Sequence, residues 1–270
     1  KRILKILLAM FGTAEDENSG IMAVLHDITE QKKLDSSRRE FVANVSHELR
    51  TPLTNVKGYT ETLLDAGDEL DGETRRNFLR VIYNESDRMT HIVKDLLTLS
   101  QLDYGKMDME MSPIPVKLIV QNIASAMLIE ARGQGLTLET KLEEPLPLIL
   151  ADRNRMEQVI ANIVSNAIKY NRPGGTVTLS AFSQEDKVVI KVQDTGIGIP
   201  QEDIPRLFER FYRVDKARSR ERGGTGLGLA IAKEIVEQHQ GTIGVESQLD
   251  AGTTVTITLP VCPPDHEGQL

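Results

Sequence analysis

The sequence predicts an α+β protein in two parts: a helical hairpin that pairs with a second copy into a four-helix bundle, then an α/β sandwich with a mixed sheet. Three observations predict it. Apolar residues step by three and four along residues 42–63 and again along 78–99, the spacing of one buried helix face. "SPIP", residues 112–115, interrupts that pattern and reads as a linker, because prolines break helix there. Beyond it, short strand-like runs alternate with helical stretches, as they do in layered α/β domains.

The chain has 270 residues, room for about two domains of ordinary size. Apolar residues make up 40% and charged residues 27%, the proportions of a globular chain rather than a disordered one. A formal net charge of -8 argues against a phosphate-backbone binder, since such modules carry a basic face, so no direct nucleic-acid partner is expected. The one cysteine, Cys262, has no internal partner and fits a reducing compartment. No run approaches the roughly 18 apolar residues of a membrane helix.

Taken in order, "KRILKILLAMF" has the basic start and short apolar run of a signal peptide, but no small-residue cleavage site follows. It reads instead as a strand, with "GTAEDENSG" as a turn and "IMAVLHDIT" as the returning strand, so residues 1–29 are expected to form a hairpin. A start at Lys1 without methionine suggests a piece of a longer protein. From about Glu30 the pattern becomes helical. Val42, Val45, Leu49, Pro52, Val56, Tyr59 and Leu63 mark one face, and "DAGDELDG" breaks it. Phe78, Ile82, Glu85, Met89, Ile92, Leu96 and Leu99 then repeat the stepping, Glu85 being the only polar member. A lone hairpin buries such a stripe poorly, so residues 30–111 are expected to dimerise. Residues 112–262 form the second domain. Its strands are "LTLETK", "LPLILAD", "TVTLSAFS", "KVVIKVQD", "GTIGVES" and "TTVTITLP", with helices near 116–131, 153–170 and 226–239. Residues 263–270 are a tail.

Four stretches carry chemistry. "FVANVSHELRTP" sets His47 beside Glu48 on the first helix. At about 100° per residue the ring lies near 200° from both Val45 and Leu49, away from the buried face. Glu48 can accept from one imidazole nitrogen and leave the other lone pair free to attack an electrophile. Thr51, at i+4, shares the histidine's face and can orient a water. The bland alternatives are a solvated histidine and a threonine that merely precedes a proline.

In "EQVIANIVSNAIKY", Asn162 and Asn166 share a helix face, which suits a divalent cation and the phosphates it bridges, with Lys169 and Tyr170 close by. Alone, such a pair is more often a polar surface. "VVIKVQDTGIGIP" delivers Asp194 from a strand into a turn. Its carboxylate can accept from an exocyclic amine such as that of adenine, while Gly196 and Gly198 let the backbone approach a flat ligand. "GGTGLGLAIAKEIV" runs Gly223, Gly224, Gly226 and Gly228 into a helix whose first amides can hold phosphate. The spacing is neither that of a P-loop nor that of G-x-G-x-x-G. Between these glycine clusters, "LFERFYRVDKARSRERGG" reads as a basic lid for a polyphosphate, its start anchored by Phe208 and Phe211, or as a charged surface loop.

In this order the motifs resemble the two-component sensor histidine kinases over nearly the whole chain. "SHELRTP" is similar to the family's H box, "NIVSNAIKY" to its N box, "DTGIGI" to its G1 box, "LFERFYR" to its F box and "GGTGLGLA" to its G2 box. "HDITEQKK" resembles the exit of a PAS sensor domain, of which only the last hairpin is present, and "FYRVDKARSRERGGTGLGLAIAKE" is similar to the cell-wall-regulating kinases of the family.

The resemblance implies a dimeric helical-hairpin four-helix bundle followed by an α/β sandwich ATP-binding domain of the Bergerat, or GHKL, fold. It implies ATP and Mg2+ as cofactors. His47 would be the phosphoacceptor, attacking the γ-phosphate while Glu48 polarises it. Asn166 would be the main magnesium ligand, with Asn162, Lys169 and Tyr170 around the phosphates, Asp194 on adenine, and Gly224, Gly226 and Gly228 hinging the lid. The implied partners are a second copy of the chain and the receiver domain of a response regulator. The HExxT pattern of His47, Glu48 and Thr51 implies that this regulator is also dephosphorylated. The chain would be the cytoplasmic portion of a membrane-tethered sensor, touching the membrane only through segments absent from it. Two alternatives stand beside this reading, a catalytically inactive dimeric ATP-binding adaptor and a GHKL-type ATPase. The second is disfavoured because gyrase-like and Hsp90-like enzymes use a glutamate base at the position matching Asn162, and an amide cannot replace it.

Overall fold

The computed structural model describes residues 2–11, 20–66, 69–103, 108–214 and 224–263. Residues 12–19 of the expected turn, residues 215–223 of the expected lid with Gly223 among them, and all but the first residue of the tail lie outside the described residues. The chain divides into two compact units, Lys1–Glu85 and Ser86–Leu270.

In the first unit, β1 (Leu4–Phe11) pairs antiparallel with β2 (Gly20–Asp27), Leu4 opposite Asp27. Every side chain described in these strands is exposed. Helix α1 (Thr29–Ala66) follows directly, its start fixed by Asp27, whose Oδ1 accepts from both the amide and the hydroxyl of Thr29 at 2.9 and 2.5 Å. It runs through Pro52 without ending, although proline adds no amide to the helical ladder. Helix α2 (Gly72–Asp103) begins at a cap in which Asp71 Oδ1 accepts from the amides of Glu73 and Thr74 at 2.9 and 2.8 Å.

The stepping pattern corresponds to the inner faces of this hairpin. Val45, Leu49, Pro52, Val56, Tyr59 and Leu63 are half-buried or buried, as are all seven positions named on α2. Val42 is the exception, at 57% exposed. Asn55 Nδ2 donates to Glu85 Oε1 at 2.8 Å, so the polar member of the stripe is satisfied across the hairpin, and the rings of Tyr59 and Phe78 meet at 5.0 Å.

The second unit corrects one expectation. "SPIP" is no linker but most of strand β3 (Met111–Pro115), paired antiparallel with β5 (Leu148–Asp152), Pro113 opposite Leu150 and Pro115 opposite Leu148. The pair forms a two-stranded sheet of its own, and an edge tolerates prolines because their missing amides face away from the ladder.

Helices α3 (Val116–Gly133), α4 (Arg153–Lys169) and α5 (Gly228–Gln238) pack against a five-stranded sheet. The sheet is built of β4 (Thr137–Leu142), β6 (Thr176–Gln184), β7 (Lys187–Asp194), β8 (Thr242–Gln248) and β9 (Gly252–Pro260) in the order β4-β6-β7-β9-β8. Among the described strands only the β4–β6 pair is parallel. The core is continuous: Ile160, Ile163, Val164 and Ile168 of α4 and Ile235 and Val236 of α5 are buried with Val177 and Leu179 of β6 and Ile190 of β7. Layering of this kind leaves the ends of α4, β7 and α5 free to line a cavity.

Candidate functional site

His47 is exposed on α1, Glu48 beside it is half-buried and Thr51 is exposed. The Thr51 hydroxyl donates to the His47 carbonyl at 3.4 Å, a long back-bond that the hydroxyl can exchange for another partner. The imidazole therefore presents itself to solvent one turn before a buried proline.

In the second unit a cavity of about 530 Å3 opens among α4, the end of β7, the turn after it and the glycine run before α5. Asn162, Asn166, Lys169, Tyr170, Asp194, Gly198, Gly224, Gly226 and Gly228 all line it. The Lys169 ammonium lies 5.5 Å from the centre of the Tyr170 ring.

Asp194 ends β7 with its side chain held from behind. Oδ1 accepts from the amides of Gly196 at 2.8 Å and Thr253 at 3.2 Å, which leaves Oδ2 as its free acceptor. Burial raises the carboxyl pKa, and these two amide bonds offset part of the rise. Gly196 works through this carboxylate and is not itself on the cavity wall. Gly198 has φ +67°, and a Cβ there would lie 2.0 Å from the carbonyl oxygen of Gln248, so the turn packs directly on the end of β8. Ser247 locks the same junction, its hydroxyl accepting from Ile199 N and donating to Gly252 O, both at 2.8 Å.

At the other end, a Cβ on Gly228 would lie 2.4 Å from the Asn162 amide. The start of α5 therefore rests on the asparagine itself. Its first turn has no side-chain cap, so its amides remain donors for an anion. Among the described residues no cluster of three or more His, Cys, Asp or Glu could hold a metal alone. Two amide oxygens on one cavity wall suit a hard cation that arrives with phosphate and keeps water ligands, so Asn162 and Asn166 would fit magnesium bound to a nucleotide.

Phe208 and Phe211 stand off the cavity wall. Lys233 lies over the Phe208 ring at 5.7 Å, and Phe211, at φ 64°, donates its amide to Gly226 O at 2.9 Å. Phe211 thus braces the glycine run from outside. Other residues of the wall were not singled out from the sequence. His91 and Asp95 of α2 line the cavity, as does Arg213, and Thr225 Oγ1 donates to Asp95 Oδ2 at 3.0 Å. Burial raises the Asp95 carboxyl, and the Thr225 bond lowers it in part. Arg210 grips Asp103 at the end of α2 with both terminal nitrogens, at 2.8 and 2.5 Å, and Glu234 of α5 at 2.7 Å.

With this geometry, two family models match the chain. Residues 37–105 match the His Kinase A (phospho-acceptor) domain, and residues 151–263 match the histidine kinase-, DNA gyrase B- and HSP90-like ATPase. The chain belongs to the histidine kinase family. It is 42% identical to the sensor histidine kinase WalK of Bacillus subtilis, over 96% of this chain and 42% of that relative. The chain thus spans about two fifths of that kinase's length. Among solved structures, the histidine kinase ThkA in complex with the response regulator protein TrrA superposes with a TM-score of 0.66 at 25% identity, covering 96% of this chain and 75% of that one. Full-length ShkA in complex with AMPPNP superposes with a TM-score of 0.62 at 28% identity, covering 83% of this chain and 46% of that one. The kinase fold is therefore a helical phospho-acceptor hairpin followed by an α/β ATPase-like domain.

Proposed function

We propose that this histidine kinase transfers the γ-phosphate of ATP to His47 and from there to an aspartate of a response-regulator receiver domain, which it also dephosphorylates. The observation that carries this reading is the cavity where the free oxygen of Asp194, the Asn162–Asn166 pair and the uncapped start of α5 face one space. The three groups suit a purine amine, a phosphate-bound cation and phosphate in turn. ShkA with AMPPNP and ThkA with TrrA support the nucleotide and the receiver partner by similarity.

In this reading Asp194 Oδ2 accepts from the adenine amine, and Lys169, Tyr170 and the α5 amides hold the phosphates. Asn166, with Asn162 beside it, holds magnesium, which neutralises charge on the phosphates when bound. His47 forms a P–N bond through its far ring nitrogen as the bond from the γ-phosphorus to the bridging oxygen breaks and ADP leaves. Glu48 accepts the proton of the ring's other N–H, so the phosphorylated imidazole is left neutral. For the reverse chemistry, Thr51 releases the His47 carbonyl and holds the attacking water.

A second copy completes the helical part. Leu53 and Leu64 on α1, and Leu79 and Tyr83 on α2, are exposed beside the inner stripe, a second apolar seam of the kind that pairs hairpins into a bundle. We assign β1 and β2 to the end of a PAS-like sensor domain. Among the described residues no helix is long and apolar enough to cross a membrane, and we place the tether of a membrane sensor in segments outside this chain.

Incubation with Mg-ATP separates the alternatives. Stable label on the protein supports the kinase, steady phosphate release without label would establish a GHKL-type ATPase, and nucleotide binding with neither would establish an adaptor. For the phosphatase, Thr51→Ala should spare autophosphorylation and slow dephosphorylation of the receiver by about tenfold, the scale of one lost hydrogen bond; equal loss of both would sink the assignment of Thr51.

A further inference from the structure

His239 is 2% exposed and follows the last residue of α5. It was not among the candidate site residues, and it lies off the cavity wall. Its Nδ1 is 2.7 Å from the carbonyl oxygen of Ile235, and its Nε2 is 3.0 Å from the amide nitrogen of Asp152. A carbonyl only accepts and an amide N–H only donates. The ring is therefore the neutral Nδ1–H tautomer, donating to Ile235 and accepting from Asp152.

Asp152 is the N-cap of α4. Its Oδ1 accepts from Arg155 N at 3.1 Å and its Oδ2 from Glu110 N at 3.1 Å, while the residue itself is 5% exposed. The imidazole thus ties the last turn of α5 to the first turn of α4. The two helices meet again at Gly228 and Asn162. At 1.5 Å per residue, Asn162 lies about 15 Å along α4 from the Asp152 cap, and Gly228 lies about 16 Å along α5 from His239. The spans match, so the hydrogen bond at one end fixes the sliding register of the helices at the other. That far end carries Asn162, Asn166 and the free amides of α5. The adenine end is held separately, by the bonds of Asp194 to Gly196 and Thr253 and by those of Ser247.

We propose that His239 is a positioning residue that sets the register of α5 on α4 and so shapes the phosphate and cation end of the nucleotide site, without touching the nucleotide. This rests on the nucleotide reading above. Glutamine can place an oxygen near the position of Nε2, whereas asparagine reaches only as far as Nδ1. In His239→Gln the Ile235 carbonyl still accepts from the amide of residue 239, at 3.2 Å in the present structure.

The test is calorimetric binding of Mg-ADP and of adenosine to the wild-type chain and both variants. His239→Asn should weaken Mg-ADP about tenfold, the scale of one buried donor left without its acceptor, and leave adenosine within about twofold. His239→Gln should restore most of the Mg-ADP affinity. Unchanged Mg-ADP affinity in His239→Asn, or equal loss for both ligands, would overturn the proposal while leaving the nucleotide site in place. Failure of the wild-type chain to bind Mg-ADP would overturn both.

Should His239→Asn not fold, hydrogen exchange on the wild-type chain decides, because coupling between two sites is reciprocal. Mg-ADP should slow exchange of the Asp152 amide severalfold more than saturating adenosine does. Equal protection by the two ligands, or none, overturns the proposal.

Discussion

At Asp194 two backbone amides occupy Oδ1 and leave Oδ2 as the free acceptor of the proposed nucleotide site. Asp194→Asn keeps the shape but puts an NH2 either against those amides or against the purine amine. Mg-ADP affinity should fall about a hundredfold, roughly 2–3 kcal/mol, with the fold intact by circular dichroism. Acidification gives an independent check. The proton goes to Oδ2 and turns it into a donor, and because burial raises this pKa, affinity should begin to fall at a higher pH than an exposed aspartate would allow. Stability moves the other way: with the folded pKa above the unfolded one, the contribution of Asp194 is greatest at low pH and is lost as pH rises through the folded value. Wild-type affinity that begins to fall no earlier than an exposed aspartate would allow would contradict this, as would an equal slope in Asp194→Asn. That Asp194, the asparagine pair, Gly198, Gly224, Gly226 and Gly228 would share one cavity was legible because each sits in a short stretch that fixes its own turn or helix face. Asp95 and His239 were not. Their partners, Thr225 and Asp152, are remote in sequence, and no local pattern announces such contacts.

Elements were legible where periodicity is long, and misread where a local rule met a tertiary exception. The inner stripes of α1 and α2 correspond to the stepping pattern, apart from Val42 at its start, because a hairpin must bury one face of each helix. "SPIP" was misread because two prolines argue against a strand until an edge position removes the objection. The end of α2 carries a testable contact of its own in the Arg210 fork between Asp103 and Glu234. The groups are partly exposed, so solvent screening limits the Arg210–Asp103 coupling to about 1 kcal/mol despite its bidentate geometry. A double-mutant cycle with Arg210→Ala and Asp103→Ala in urea denaturation should return that value. A coupling indistinguishable from zero would show the fork to be a surface pair without energetic weight.

For the molecule as a whole, two claims stand beyond the fold, that the hairpin pairs with a second copy and that phosphate from ATP ends on His47. The first predicts a dimer at micromolar concentration by sedimentation velocity, and dissociation to monomers in the double variant Leu64→Glu, Leu79→Glu with helicity retained. A wild-type monomer under those conditions would contradict it. The second is the centre of the account. Its most direct test is incubation of the wild-type chain and His47→Gln with γ-labelled ATP and magnesium, assaying for label that acid removes and alkali does not. The account predicts such label on the wild-type chain and none on the variant; label retained by His47→Gln would contradict it.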